Sequence, residues 1–194
     1  MSFAERYRDE LLSALNTINP DQVSQAIEIL AEARDHGRRI FVCGNGGSAS
    51  TASHFATDLV KGASFQRSSR FRIMALTDSL PTITAYSNDV SYDSIFVEQM
   101  MNFAEPGDVL IAISSSGNSP NVLRAIEYAN SIGCRTIALS GRDGGRLGPL
   151  AGLNIQISHM HTGRIEDAHM VVLHMIGYYF MEEDQARLLT RAAQ

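Results

Sequence analysis

Five short apolar runs, most of them closed by glycine or serine, recur along the chain: RRIFVCG, FRIMAL, DVLIAISSSG, CRTIALSG and NIQIS. Short continuous apolar runs bounded by turn residues are what strands buried on both faces require. Most are separated by a segment of helical periodicity, and that alternation restricts the chain to an α/β fold, a doubly wound five-stranded parallel sheet flanked by helices. Ahead of the first strand, residues 3–16 and 20–36 read as amphipathic helices interrupted at INPD, with Asn19 as N-cap and Pro20 at the first helical position. They form an N-terminal helical hairpin over residues 1–37. Residues 162–184 read as one long closing helix after HTG. No internal repeat or low-complexity stretch divides the chain, so residues 1–194 are expected to form a single domain.

Composition narrows the function. A length of 194 residues with 44% hydrophobic content suffices for one full core. The net charge of -5, with Arg and Lys scattered, argues against direct nucleic-acid binding but leaves room for a local anion pocket. The opening MSFAERYRDELLSALNTINP carries acids and lacks an apolar core, so neither a signal peptide nor a membrane anchor is expected, and cytoplasmic residence follows. Cys43 and Cys134 form no metal-type pair and lie in or beside strand-like runs, which reads as buried thiols.

In sheets of this class, ligands bind where strand ends lead into helix N-termini. Two loops have the composition for it. After IFVC comes GNGGSAS, in which Gly44, Gly46 and Gly47 allow close backbone approach and Asn45 and Ser48 add side-chain hydrogen bonds. After VLIAI comes SSSGNSPNV, with Ser114, Ser115, Ser116 and Ser119 around Gly117 and Asn118 and Pro120 in the first helical turn. Hydroxyls and free N–H groups at a helix dipole make an anion cradle, and phosphate is a common occupant. Ordinary serine-capped turns are the alternative reading. The first loop lacks GxGxxG spacing, and no GxxxxGK[ST] loop is present, so a phosphorylated small molecule fits better than a nucleotide. His54 and Asp58, four residues apart on the following helix, share a face and have the spacing of two ligands to one metal. A solvent-exposed His–Asp pair explains the same spacing.

The segments CGNGGSASTASHFATDL, ALTDSLPTITAYSNDVSYDSIF, GDVLIAISSSGNSPNVLRAIEYA and TIALSGRDGGRL together resemble the sugar isomerase (SIS) domain family, specifically its phosphoheptose isomerases. The resemblance spans most of the chain. It implies a SIS fold, a homotetramer with active sites between subunits and the hairpin used in oligomer packing, and conversion of sedoheptulose 7-phosphate to D-glycero-D-manno-heptose 7-phosphate. It further implies that Asn45, Gly46, Gly47 and Ser48 line the sugar site, that Asn88 and Asp89 contact substrate, and that Ser114, Ser115, Ser116 and Ser119 hold the phosphate.

Carried over by position, the family's metal and acid–base residues become His54, Asp58, Glu166 and His174, with zinc or a similar divalent ion as cofactor. Two depart from the pattern: Asp58 stands where the family has its glutamate base, and Glu166 where it has glutamine. Aspartate retracts the carboxylate by roughly 1.5 Å, yet two imidazoles and two carboxylates remain a competent ligand set. Asp58, with Glu166 in reserve, is the expected base and His174 the acid for proton transfer through an enediolate. Two alternatives stand beside this reading. One is a non-catalytic SIS tetramer that binds a phosphosugar or the bacterial replication initiator, to which His54 and His174 would be superfluous; the other is an isomerase for a different phosphosugar.

Other polar residues admit plainer roles. His159 and His161 fall in an exposed loop, Arg142 and Arg146 in a solvated turn or beside an anion, Asp78 at a helix cap or in the site, and Met100 and Met101 in the core. On a regular helix Glu166 and His174 differ by about 12 Å of rise and roughly 80° of rotation. Either Glu166 precedes the helix or the two reach one ion from different subunits, which leaves Asp167 and His169 to capping, supporting or interface roles.

Overall fold

The computed structural model describes residues 1–183. In chain order they form α1 (Phe3–Leu15), α2 (Pro20–Asp35), β1 (Arg39–Gly44), α3 (Gly47–Thr57), β2 (Arg72–Ala75), α4 (Leu80–Asp89), α5 (Val97–Phe103), β3 (Val109–Ser114), α6 (Pro120–Ser131), β4 (Arg135–Gly141), α7 (Leu147–Leu150), β5 (Leu153–Ile157) and α8 (Thr162–Tyr178). Two π-helical turns, Asp58–Gly62 and Tyr179–Glu183, follow α3 and α8, and a 3-10 turn spans Tyr92–Ser94. The closing helix is thus regular only to Tyr178, and position 184 of its expected range lies outside the described residues, as does the end of the expected single domain.

All five strands pair in parallel in the order β2-β1-β3-β4-β5, with Val42 opposite Ile111 and Ile111 opposite Ile137. Alternate residues of β1, β3 and β4 feed separate cores, which is the period-2 rule applied to strands buried on both sides, whereas the edge strands β2 and β5 bury only one face. Ile40 and Val42 point to a core shared with α2, α3 and α8, through Leu30, Phe55 and Val172. Phe41 and Cys43 point to the other, with Met100 of α5 and Val122 and Ile126 of α6. Met100 belongs to the core as expected, but Met101 is 53% exposed, because the one-residue step on α5 turns it to the outer side. Cys43 is buried and Cys134 partly so, and desolvation pushes their thiols up to about 12 and about 11. Among the described residues no helix is long and apolar enough to cross a membrane.

The two N-terminal helices start where the caps put them, but they do not close on each other as the expected hairpin: each packs against α8, and α2 also against β1 and β5. Asn19 accepts from the Asp21 N–H at 2.9 Å, with Pro20 opening α2. Val23, Ala26, Leu30 and Ala33 of α2 enter the core. α1 is fastened to α8 by polar contacts: Arg164, with its side chain only 8% exposed, pairs with Glu10 at 2.5 Å and stacks on the Tyr7 ring, while the Tyr7 hydroxyl donates to Asp167 at 2.7 Å. One turn further along α8, His169 is fully buried. Its Nε2 donates to the Ser140 carbonyl at 3.1 Å, leaving Nδ1 without a partner. Of the roles left to the pair in sequence, Asp167 serves the α1–α8 contact and His169 the core.

Two outcomes follow from these contacts. Removing Glu10 leaves a buried guanidinium unpaired, so Glu10→Ala should cost about 1–3 kcal/mol in urea unfolding, more than an exposed pair would. Burial pushes the His169 imidazole down to about 4 from the ordinary 6.5, opposed only in part by its hydrogen bond to Ser140. Between those values the unfolded chain binds a proton that the folded one refuses, so stability falls as pH drops from 6.5 towards 4, by about 3 kcal/mol in all. His169→Gln should flatten this part of the stability–pH curve; a curve of unchanged slope would exclude His169 as its source.

Candidate active site

Strand order reverses between β1 and β3, and in sheets ordered 2-1-3-4-5 the crevice at that reversal is where a ligand fits. Both loops singled out in the sequence open there. β1 ends at Gly44, the backbone turns at Gly46 with φ +56°, and α3 begins at Gly47. A Cβ on Gly47 would lie 2.5 Å from the Glu166 carboxylate, so the α8 acid rests directly against the first turn of α3. On the other side β3 runs into the serine loop, whose Gly117, at φ +64°, packs so close to Gly144 that a Cβ would lie 2.2 Å from its carbonyl oxygen.

The cleft between the loops is a cavity of about 170 Å³ lined by Asn45 and Ser48, by Ser114, Ser115, Ser116 and Ser119, and by Arg142, Thr162 and Glu166. The Ser114 hydroxyl lies 3.2 Å from that of Ser119 and 3.4 Å from that of Ser116. Ser119 sits at the N-cap of α6 without making a side-chain cap bond, so its hydroxyl and the helix dipole both remain available to a ligand. Arg142 brings a cation to the same cavity from a left-handed backbone at φ +57°, with its carbonyl accepting from Gln156 Nε2 at 2.8 Å. A non-glycine residue held in that region marks local strain of the kind binding sites store.

A second centre lies where α3 packs on α8. His54 Nε2 is 3.0 Å from His174 Nε2 and 3.3 Å from Asp58 Oδ2, and His174 Nε2 is 3.9 Å from the same oxygen. Four-residue spacing puts His54 and Asp58 on one face of α3, and the backbone changes to π winding at Asp58, where its carbonyl accepts from Ala63 N at 2.9 Å. Single π turns gather at functional sites. Asp58 Oδ2 is buried with no hydrogen-bond partner, which is costly for a carboxylate unless a cation sits beside it. Ligand bonds of about 2.0–2.1 Å in a tetrahedron place neighbouring donor atoms roughly 3.3 Å apart. His54, Asp58 and His174 therefore fit a divalent metal by donor chemistry and by the orphaned oxygen, and the retracted aspartate still reaches both imidazoles.

Glu166 is not in this cluster. It lies within regular α8, two turns before His174, with its carboxylate in the serine cavity. Asn88 and Asp89 close α4, exposed and hydrogen-bonded to one another at 2.7 Å, and do not line the serine cavity; Asp89 instead borders a groove with Tyr86 and Val90. Asp78 is not the cap, since Ser79 holds that position; it accepts from the Ser53 hydroxyl on α3. Arg146 is exposed near Glu127, and His159 and His161 border the exposed loop ahead of α8. Thr162, Asn121 and Tyr92 were not singled out in sequence, although Asn121 and Tyr92 hydrogen-bond Asn45 at 2.9 Å each. The only local sign of Asn121 was its place in the first turn of a helix after a hydroxyl-rich loop.

The model of the SIS domain family matches residues 5–141, which include both loops, His54 and Asp58. The phosphoheptose isomerase of Shewanella loihica is 37% identical, over 94% of this chain and 99% of that protein. The probable phosphoheptose isomerase of Thermoplasma acidophilum is 38% identical over 89% of this chain and 94% of that protein. The solved phosphoheptose isomerase of Neisseria gonorrhoeae superposes with a TM-score of 0.84 at 31% identity, covering 92% of this chain and 98% of the other. Sequence, fold and the paired loops agree, and the chain belongs to the SIS domain family, among its phosphoheptose isomerases.

Proposed function

We propose that this chain interconverts sedoheptulose 7-phosphate and D-glycero-D-manno-heptose 7-phosphate by proton transfer through an enediolate. The observation that carries the reading is the meeting of two imidazoles and one carboxylate, His54, His174 and Asp58, in a chain whose crevice also holds a hydroxyl-lined anion cradle. A ketose-to-aldose shift needs a base at the carbon beside the carbonyl, an acid to move the hydroxyl proton, and a stabiliser for developing negative charge.

In this reading Ser114, Ser115, Ser116 and Ser119 hold the 7-phosphate, far from the reacting carbons, and supply positioning energy. Asn45, Gly46, Gly47 and Ser48 line the sugar. Asp58 takes a proton from C1 and returns it to C2, while His174 moves a proton between O1 and O2. His54, Asp58 and His174, with Glu166 as a fourth ligand, would hold zinc or a similar divalent ion, which when bound supplies positive charge opposite the oxygens that become negative. Free, desolvated thiols at Cys43 and Cys134 suit a reducing cytoplasm.

The site is assembled between subunits of a homotetramer, with the two N-terminal helices contributing to the packing. Within one chain, Glu166 stands about 12 Å along α8 from His174, so a second copy supplies the carboxylate to this cluster. Support comes from Val60, Phe65, Met175 and Tyr178, all about half exposed or more in the segments that carry Asp58 and His174, and from α4, which buries no residue of its own. Apolar surface of that extent is covered in a working assembly. Asn88 and Asp89 at the end of α4 would reach substrate across the same boundary.

An NMR or coupled assay with sedoheptulose 7-phosphate should show turnover with a divalent metal and none after chelation. No turnover in either state, with the phosphosugar still bound, would point to a binding protein. His174→Ala should lower kcat by roughly 10²–10⁴-fold while sedimentation stays that of the wild type; unchanged kcat would remove His174 from the chemistry. Mixing Glu166→Ala with His174→Ala subunits, each inactive alone, should restore up to about a quarter of wild-type activity by random pairing at an interface. Mixed oligomers that stay inactive would place the complete site within one chain.

A further inference from the structure

Asn45 lines the serine cavity, and its side-chain amide is held by two residues that have no part in the mechanism above. Its Nδ2 donates to Asn121 Oδ1 at 2.9 Å, and its Oδ1 accepts from Asn121 Nδ2 and from the Tyr92 hydroxyl, each at 2.9 Å. An amide pair of this kind could face either way round, since oxygen and nitrogen have nearly the same shape. A backbone group settles the direction. The Val122 N–H donates to Asn121 Oδ1 at 3.0 Å, and a peptide N–H cannot become an acceptor. Asn121 is 1% exposed, so water does not compensate for a reversed amide there. With Asn121 Oδ1 fixed, Asn45 must turn its NH₂ towards it, Asn121 must turn its own NH₂ towards Asn45 Oδ1, and the Tyr92 hydroxyl must be the donor.

The consequence lies on the cavity side. Asn45 Oδ1 already accepts two hydrogen bonds, which fills its lone pairs, while one of the two Nδ2 hydrogens is committed and one is left. We propose that Asn121 and Tyr92 are positioning residues that lock the Asn45 amide so that it offers the sugar-phosphate site a hydrogen-bond donor and never an acceptor. This rests on the reading of the serine cavity as that site. A donor fixed in advance costs no reorganisation when charge develops on a substrate oxygen. It also selects against ligands that place a hydroxyl donor against Asn45, because that amide has no free lone pair to receive it.

The test uses the full-length protein. Tyr92→Phe removes one hydroxyl from a half-exposed side chain, and Asn121→Asp keeps the acceptor for Val122 N–H while removing the donor to Asn45. Each should lower kcat roughly tenfold with KM within about twofold, against roughly 10²–10³-fold for Asn45→Ala. In the Asn45→Ala background both second substitutions should have no further effect, because they act through that amide. A loss that persists undiminished without the Asn45 amide, or wild-type kcat in both single variants, would overturn the proposal. Asn45→Asp, which presents only acceptors, should be as poor as Asn45→Ala; higher activity would overturn the donor assignment.

Should the wild type fail to turn over sedoheptulose 7-phosphate, the isomerase reading falls, and positioning is read without turnover. The Asn45 side-chain NH₂ resonances, identified by their loss in Asn45→Ala, should show slow hydrogen exchange that quickens in Tyr92→Phe and Asn121→Asp. Exchange unaltered in both variants would overturn the lock.

Discussion

The close approach of α3 to α8 is the constraint on which both centres depend. It brings the first turn of α3 against Glu166, with no room for a side chain at Gly47, and two turns on it brings His54 against His174. The contact is fixed from below, because Phe55 of α3 and Val172 and Leu173 of α8 share one buried core with Val42 and Ile113 of the sheet. Polar groups stand at the rim of this contact, and the apolar packing beneath sets their spacing. Displacing either helix would therefore disturb the metal cluster and the anion cavity together.

The cavity owes its position to topology. A parallel sheet that starts in the middle and winds both ways leaves a gap between the helices that follow β1 and β3. Into it open the glycine loop and the serine loop, and both offer groups that the fold has not consumed. Ser119 occupies a cap position without capping, and Asn45 spends its carbonyl oxygen on two neighbours while retaining a free N–H. Arg142, in a left-handed turn whose carbonyl accepts from Gln156, adds a cation to the same cavity as the Glu166 carboxylate, so the lining combines both charges with neutral hydroxyls.

Much of this was legible in the sequence because it is local. Strand runs, the Asn19–Pro20 helix start, the two loops and the four-residue spacing of His54 and Asp58 each depend on a few neighbouring residues. The departures came where a side chain's fate depends on what packs against it. Met100 and Met101 look alike in sequence, yet only Met100 faces the sheet. Asp78 follows a strand and precedes a helix, but Ser53, far off in sequence, claims its carboxylate. Asn121 and Tyr92 carry no local mark of function, since their partner is Asn45, across the crevice in each case.

The sequence by itself determined the α/β architecture, the strands, the family and the candidate loops, because hydrophobic period and turn chemistry act over a few residues and survive without knowledge of packing. Only the tertiary structure decided which candidates share a site. It joined His54 and Asp58 to His174, 120 residues away, and left an orphaned carboxylate oxygen among them. It also sent Glu166 to the serine cavity, since a regular helix holds residues eight apart at about 12 Å and cannot fold back on itself to bring them to one ion.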